Sequence, residues 1–139
     1  MVNSEAEGPT RAIALEMYEQ LFNQGDNSIL EKYVSPDFVY RNPMQDTKGR
    51  QQIIDLVDAQ RDAFSGFRQR VDDVAIDRER GAMAVSWTVT GVHEKPFFAY
   101  PASGAPITFS GITFFLWEKG QAVAAWGFSD MDGNLSPAR

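Results

Sequence analysis

The chain contains no cysteine and a single histidine, His93. Disulfides, thiol nucleophiles and zinc–thiolate centres are excluded by composition, and a histidine-rich metal site is excluded with them. Carboxylates remain as ligands for a hard cation, but nothing in their spacing calls for one, and no cofactor is expected. Basic runs are missing too. Lys and Arg number 13 against 19 Asp and Glu, for a net charge of −6, and the arginines are scattered. A nucleic acid or an anionic membrane needs a concentrated positive surface, so neither is expected as a partner. No apolar stretch approaches the ~20 residues of a membrane-spanning helix. The first ten residues lack the apolar centre of a signal peptide. These absences together point to a soluble, cytoplasmic protein.

What the chain does have is aromatic surface: ten Phe, four Tyr and three Trp in 139 residues. That length suits one domain with one buried core, expected over residues 1–139 with a core of about 11–135 and short tails. The aromatic content exceeds the need of a small core, so the surplus can line a cavity or cover a dimer face.

Helical periods come first and strand periods follow, the order of an α+β fold. Thr10 is placed to cap a first helix in which Ile13, Met17 and Leu21 form one row and Ala14, Tyr18 and Phe22 the next, ended by Gly25. Ser28-Ile29-Leu30-Glu31 reads as a capping box for a short second helix that Pro36 stops. A strand is expected at Phe38 to Asn42. A third helix runs from about Arg50 to Phe64, with Ile53, Leu56, Val57, Gln60 and Phe64 on one face. From Phe67 the period is two, and the apolar parity switches across Asp72-Asp73, as a β-bulge requires. Strands follow over Ala82 to His93, Ile107 to Glu118 and Gln121 to Asp130, the last two joined by a tight turn at Lys119-Gly120. Both faces of these last strands are apolar. One is expected to curl around the helices and enclose a pocket, and the other to be covered by a second copy of the chain.

Among residues able to carry chemistry, Asp130 shares strand parity with Trp126 and Phe128. A carboxylate in apolar company loses solvation of its charged form, which raises its pKa toward the range of a general acid or base. The competing reading makes it a cap of the turn Asp130-Met131-Asp132-Gly133. His93, on the parity of Trp87 and Val89, could orient a carbonyl or exchange a proton with Asp130; the alternative is a strand-end histidine half in solvent. Tyr40 and Asn42 share a face with Phe38, and Asn42 can bond a ligand or close the turn before Pro43. Gln60 and Tyr18 are polar interruptions of apolar helix stripes. Trp87, Phe114 and Trp126 are candidates for substrate contact, with core packing as the alternative.

A series of short segments resembles the SnoaL-like polyketide cyclases of the NTF2-like superfamily. They are Phe22-Asn23-Gln24-Gly25-Asp26, Ser35-Pro36-Asp37-Phe38-Val39 leading to Asn42-Pro43, Lys48-Gly49-Arg50, and Val71-Asp72-Asp73-Val74. Thr90-Gly91-Val92-His93, Pro101-Ala102-Ser103-Gly104, Phe109-Ser110-Gly111-Ile112 and Trp126-Gly127-Phe128-Ser129-Asp130 complete the series. The resemblance implies an NTF2-like cone: a curved, mostly antiparallel sheet packed on three N-terminal helices around a pocket. It also implies a frequent homodimer and a cofactor-independent cyclase or isomerase acting on an apolar, polyketide-like molecule. The general acid/base role of the family's W-x-x-x-D aspartate would fall on Asp130, with His93 in support. Two departures stand out. Arg41 takes the place of a histidine that many relatives carry, and Leu116, Ala125 and Gly127 stand where relatives have charged residues or histidine. Epoxide opening to a cyclic ether or diol, and a non-catalytic ligand-binding or dimerisation module, are the alternative readings.

Overall fold

The computed structural model describes residues 8–41 and 46–136. Helix α1 (Arg11–Met17) is capped by Thr10, whose hydroxyl accepts from the Ile13 N–H at 3.1 Å. It passes directly into a π-helical segment, Tyr18–Asn23. Ala14, Met17, Tyr18 and Leu21 form the buried stripe, and Phe22 is only half covered. Gly25, at φ 69°, reverses the chain in a conformation that favours glycine.

Helix α2 (Ile29–Tyr33) forms, but without the expected capping box. The Ser28 hydroxyl donates instead to Asp26 Oδ1 at 2.6 Å, which also accepts the Ser28 N–H at 3.1 Å. Asp26 outcompetes the box because an Asx turn offers the same donors a charged acceptor two residues away. Strand β1 (Val34–Arg41) starts earlier than the sequence suggests and contains Pro36. The imide is tolerated because β1 breaks register with its neighbour between Val34 and Val39, where no ladder N–H is needed. Strand β2 (Thr47–Lys48) and helix α3 (Gln51–Ala63) follow.

Strands β3 (Phe64–Asp77), β4 (Ala82–His93), β5 (Pro106–Glu118) and β6 (Gln121–Ser129) complete one sheet with the order β2-β1-β6-β5-β4-β3. Every pairing in it is antiparallel except β1 with β6. The register of β3 against β4 shifts between Val71 and Asp73, which is the expected bulge. The β5–β6 turn holds Lys119 at φ 51° and Gly120 at φ 81°, the two positive values of a type I′ hairpin. The chain does not end in a tail after β6. Helix α4 (Met131–Leu135) folds back, and Leu135 is buried.

β3 is an edge strand, and its free backbone groups are partly matched by a side chain. Asn23, at the end of the π segment, accepts the Gln69 N–H at 2.8 Å and donates to the Gln69 carbonyl at 3.0 Å. The amide thus acts as a one-residue mimic of a neighbouring strand. It ties the first helix to the sheet and fixes where Gln69 stands.

Candidate active site

Strand parity and curvature divide the sheet into an inner face, turned toward the helices, and an outer one. On the inner face lie Phe38 and Tyr40 of β1, Gln69 and Val71 of β3, and Val85, Trp87 and Val89 of β4. Phe109, Gly111, Thr113 and Phe115 of β5 and Ala125, Gly127 and Ser129 of β6 complete it. All of these but Val71, Val85, Val89 and Gly111 line a cavity of about 350 Å3, together with Tyr18 and Phe22 of the first helix and Gln52, Ile53, Leu56 and Gln60 of α3. Phe98 lines it while remaining 68% exposed, so it stands at its opening.

Thr113 is a polar group of the cavity wall. The Trp87 indole donates to Thr113 Oγ1 at 2.9 Å. The Tyr18 phenol lies beside the Thr113 hydroxyl on the same wall of the cavity. Burial pushes the Tyr18 phenol far above its ordinary range, against a smaller opposing effect of the Thr113 hydroxyl; the neighbouring Tyr40 adds to the rise. Burial raises Tyr40 as well. Both phenols are therefore neutral donors at any physiological pH. Space for Tyr40 comes from Gly127, where an added Cβ would collide with the Tyr40 hydroxyl. Gln52 is held at the α3 end of the site by bonds to Thr47, whose carbonyl accepts its amide at 2.8 Å. Among the described residues that line the cavity, none is charged and none is histidine.

Sequence reasoning brings Tyr18, Tyr40, Gln60 and Trp87 to this cavity, and all four line it. Asn42 lies outside the described residues. Phe114 and Trp126 correct the expectation of an inner wall: they pack edge to face at 5.5 Å on the outer side of the sheet, where Trp126 also lies under the Arg41 guanidinium. Asp130 is displaced in the same way. It does share a side with Trp126 and Phe128, but that side is the outer one. Its carboxylate is exposed there and accepts the Ser110 N–H at 2.7 Å. It sits at the N-cap position of α4 without making a side-chain cap bond.

His93 is fully buried on the inner side rather than half in solvent. Its ring packs 5.0 Å from that of Phe64, neither ring nitrogen has a hydrogen-bond partner, and it is not among the cavity-lining residues. The expected proton exchange between His93 and Asp130 is corrected by this placement, because the two side chains lie on opposite faces of the sheet. Gln52, Gln69 and Thr113 are cavity groups that the sequence reading passed over. Gln69 carries a visible signal, a polar residue on the apolar parity of Phe67 and Val71.

A curved sheet closing on N-terminal helices around an apolar cavity is the NTF2-like α+β architecture. A protein of ketosteroid isomerase-like fold from Catenulispora acidiphila DSM 44928, solved in complex with trimethylamine, shares it with a TM-score of 0.64 at 11% identity, over 86% of each chain. Within that architecture the chain belongs to the SnoaL-like polyketide cyclase family, whose pattern it matches over residues 12–135. TsrD from Streptomyces laurentii superposes with a TM-score of 0.78 at 22% identity, covering 90% of this chain and 93% of its own. A candidate SnoaL-like polyketide cyclase from Jannaschia sp. CCS1 gives 0.73 at 21% identity, over 94% of this chain and 97% of its own. At such identities the likeness to these structures is one of fold. No curated protein matches the sequence. Family membership supports a role of cyclase or isomerase type on a small molecule. Among the described residues no helix is long and apolar enough to cross a membrane, and no group of acidic or histidine side chains could hold a metal.

Proposed function

We propose that the protein is a cofactor-independent cyclase or isomerase that folds an apolar, polyketide-like molecule inside the cavity and polarises one of its carbonyls with the Tyr18 phenol. The observation that carries this reading is the composition of the lining: large aromatic and aliphatic walls, with neutral hydroxyls, amides and an indole N–H as the polar side-chain groups among the described residues. Such a site holds two parts of one flexible chain together. That alone lowers a ring-closing barrier by removing the entropy of the encounter. A phenol kept protonated by burial then stabilises the negative charge that develops on a carbonyl oxygen.

For closure of an enolised β-dicarbonyl onto a ketone, a carbon–carbon bond forms and the ketone π bond breaks. The new oxyanion takes the Tyr18 proton, and the enol O–H returns a proton to the tyrosinate. No atom is gained or lost, so the reaction is an isomerisation and requires no carboxylate. Asp130, exposed on the outer face, has no part in this scheme.

The test uses a naphthyl β-diketone with a ketone on a flexible tether as probe, its ring closure followed by NMR. The protein should accelerate closure. Tyr18→Phe should remove roughly a hundredfold of that acceleration, the usual effect of losing one oxyanion donor, and Asp130→Asn should leave it in place. Loss of acceleration in Asp130→Asn alone would refute the proposal. The uncharged lining also favours a second reading, a ligand carrier without catalysis. Its signature would be tight binding of the diketone with no acceleration at all.

Homodimerisation forms part of the same reading. Ile112 and Phe128 leave 54% and 66% of their surfaces exposed on the outer face beside Phe114 and Trp126. A second copy covering this patch would remove it from water.

A further inference from the structure

Two polar side chains of the cavity wall are left unused by the scheme above. Gln60 of α3 is 5% exposed and Gln69 of β3 is 4% exposed, and both line the cavity. Neither amide oxygen has a hydrogen-bond partner. Buried amide oxygens are normally matched, because each one left without a donor forfeits the bonds it had in water. Two such groups on side chains that line one apolar cavity are therefore a cost to the free protein, which a ligand can relieve once an amide turns its oxygen toward it.

Their placement is not slack. Asn23 clamps the Gln69 backbone on both its N–H and its carbonyl. Gln60 lies on the same buried face of α3 as Val57, with the Phe64 ring starting the next strand. Half a turn about the last side-chain bond exchanges the oxygen and nitrogen of a glutamine amide, so each can present either an acceptor or a donor. Only a group that is itself both donor and acceptor matches such a pair in every setting. A hydroxyl is the smallest group of that kind. A bare carbonyl or an ether oxygen can accept from the amide nitrogens but leaves the oxygens unmatched.

We propose that Gln60 and Gln69 form a hydroxyl-selecting part of the cavity, so that the true substrate carries an alcohol or phenol O–H on its otherwise apolar skeleton. This rests on the reading of the cavity as the ligand site. It assigns the polar groups of the wall different tasks. Tyr18 donates to a carbonyl, and the glutamine pair holds a hydroxyl.

The test compares naphthol, its methyl ether and naphthalene as probes of the intact protein, with binding read by calorimetry and by quenching of tryptophan fluorescence. The wild type should bind naphthol about tenfold more tightly than the ether, the scale set by one hydrogen bond to a buried amide. In Gln60→Leu and Gln69→Leu the preference should shrink toward unity, while affinity for naphthalene holds or rises. In Asp130→Asn, on the outer face of the sheet, the preference should persist. The same two leucine variants should melt several degrees higher than the wild type, since each removes an unmatched buried oxygen and keeps the volume.

Equal affinity for naphthol and its ether in the wild type would overturn the proposal, as would a preference that survives both leucine variants. Leucine variants that melt lower than the wild type would show the amides to be structural and overturn it too. If none of the three probes binds, the ligand site itself is misplaced and both readings fall. Naphthalene binding without hydroxyl preference would instead defeat this inference and leave the cavity assignment standing.

Discussion

The Tyr40 hydroxyl occupies the space that a side chain on Gly127 would need. β1 and β6 run parallel here, with Tyr40 opposite Ala125, so a large residue on β1 leans across a glycine on its neighbour. At Gly127, where the resemblance led to the expectation of a charged residue or histidine, a neutral phenol from the adjacent strand takes the space. The two positions are therefore expected to be coupled. Gly127→Ala should destabilise the protein by about 1–3 kcal/mol, the usual cost of overpacking a filled interior. Adding Tyr40→Phe removes the colliding atom and should return much of that loss. Urea unfolding of the two single variants and the double variant checks this, and strict additivity would show that the phenol and the glycine do not share space.

The alkaline limb of stability should report the buried phenols. Tyr18 and Tyr40 hold their protons in the folded state beyond the range where an unfolded tyrosine, with a pKa of about 10, releases them. Above that value the unfolded chain binds fewer protons than the native one, so stability falls as pH rises. Below it the contribution is fully present and flat. Tyr33, raised by burial and by its bond to Glu16, and Tyr100, raised chiefly by its bond to Asp132, act in the same direction. Urea midpoints measured from pH 8 to 11 should decline above about pH 10, and Tyr18→Phe should lessen the slope. An unchanged slope in that variant would place the Tyr18 phenol in solvent.

Much of the fold is legible in the sequence because period and punctuation are local. The Thr10 cap, the bulge at Asp72-Asp73 and the Lys119-Gly120 hairpin all follow from residues within a few positions of one another. The capping box at Ser28 fails for an equally local reason, the stronger acceptor on Asp26. The site is less legible. Parity groups Trp126, Phe128 and Asp130 correctly on one side of β6, but parity alone does not say which side faces the helices. Large aromatics suggest an interior, yet here the inner row of β6 is the small one, Ala125, Gly127 and Ser129, because Tyr18 and Tyr40 fill the space from other elements. The more reliable signals are polar residues within apolar stripes. Tyr18, Gln60 and Gln69 each break such a pattern, and each lines the cavity.

Asp130 gives the contrasting prediction. Its carboxylate serves the Ser110 N–H across β5 and β6, next to a hydroxyl bridge in which Thr88 donates to Asp72 at 2.5 Å and contacts Ser110 at 2.9 Å. Asp130→Asn keeps an acceptor for Ser110 and should change the melting temperature by no more than a few degrees. Catalysis by neutral phenols also predicts a flat rate between pH 5 and 8, whereas a carboxylate base would impose an acidic limb on the profile. A rate that falls with protonation of a single acidic group, and that vanishes in Asp130→Asn, would return the base to the outer face.

Asn23 tests how the glutamine pair of the cavity is held. Its side chain matches both backbone groups of Gln69 on an edge strand, and Glu19 accepts a further bond from the same amide at 3.1 Å. Asn23→Ala strips the Gln69 N–H and carbonyl of their partner in a partly buried position, which costs about 1–3 kcal/mol. The loss should be local as well as global. Amide hydrogen exchange at Gln69 should accelerate far more than at Val89, its partner on the adjoining strand, whose protection comes from the centre of the sheet. Because the clamp fixes where the Gln69 amide stands, the variant should also bind naphthol more weakly while its affinity for naphthalene stays near that of the wild type. Equal weakening for both probes would mean that the clamp shapes the cavity as a whole rather than its glutamine pair.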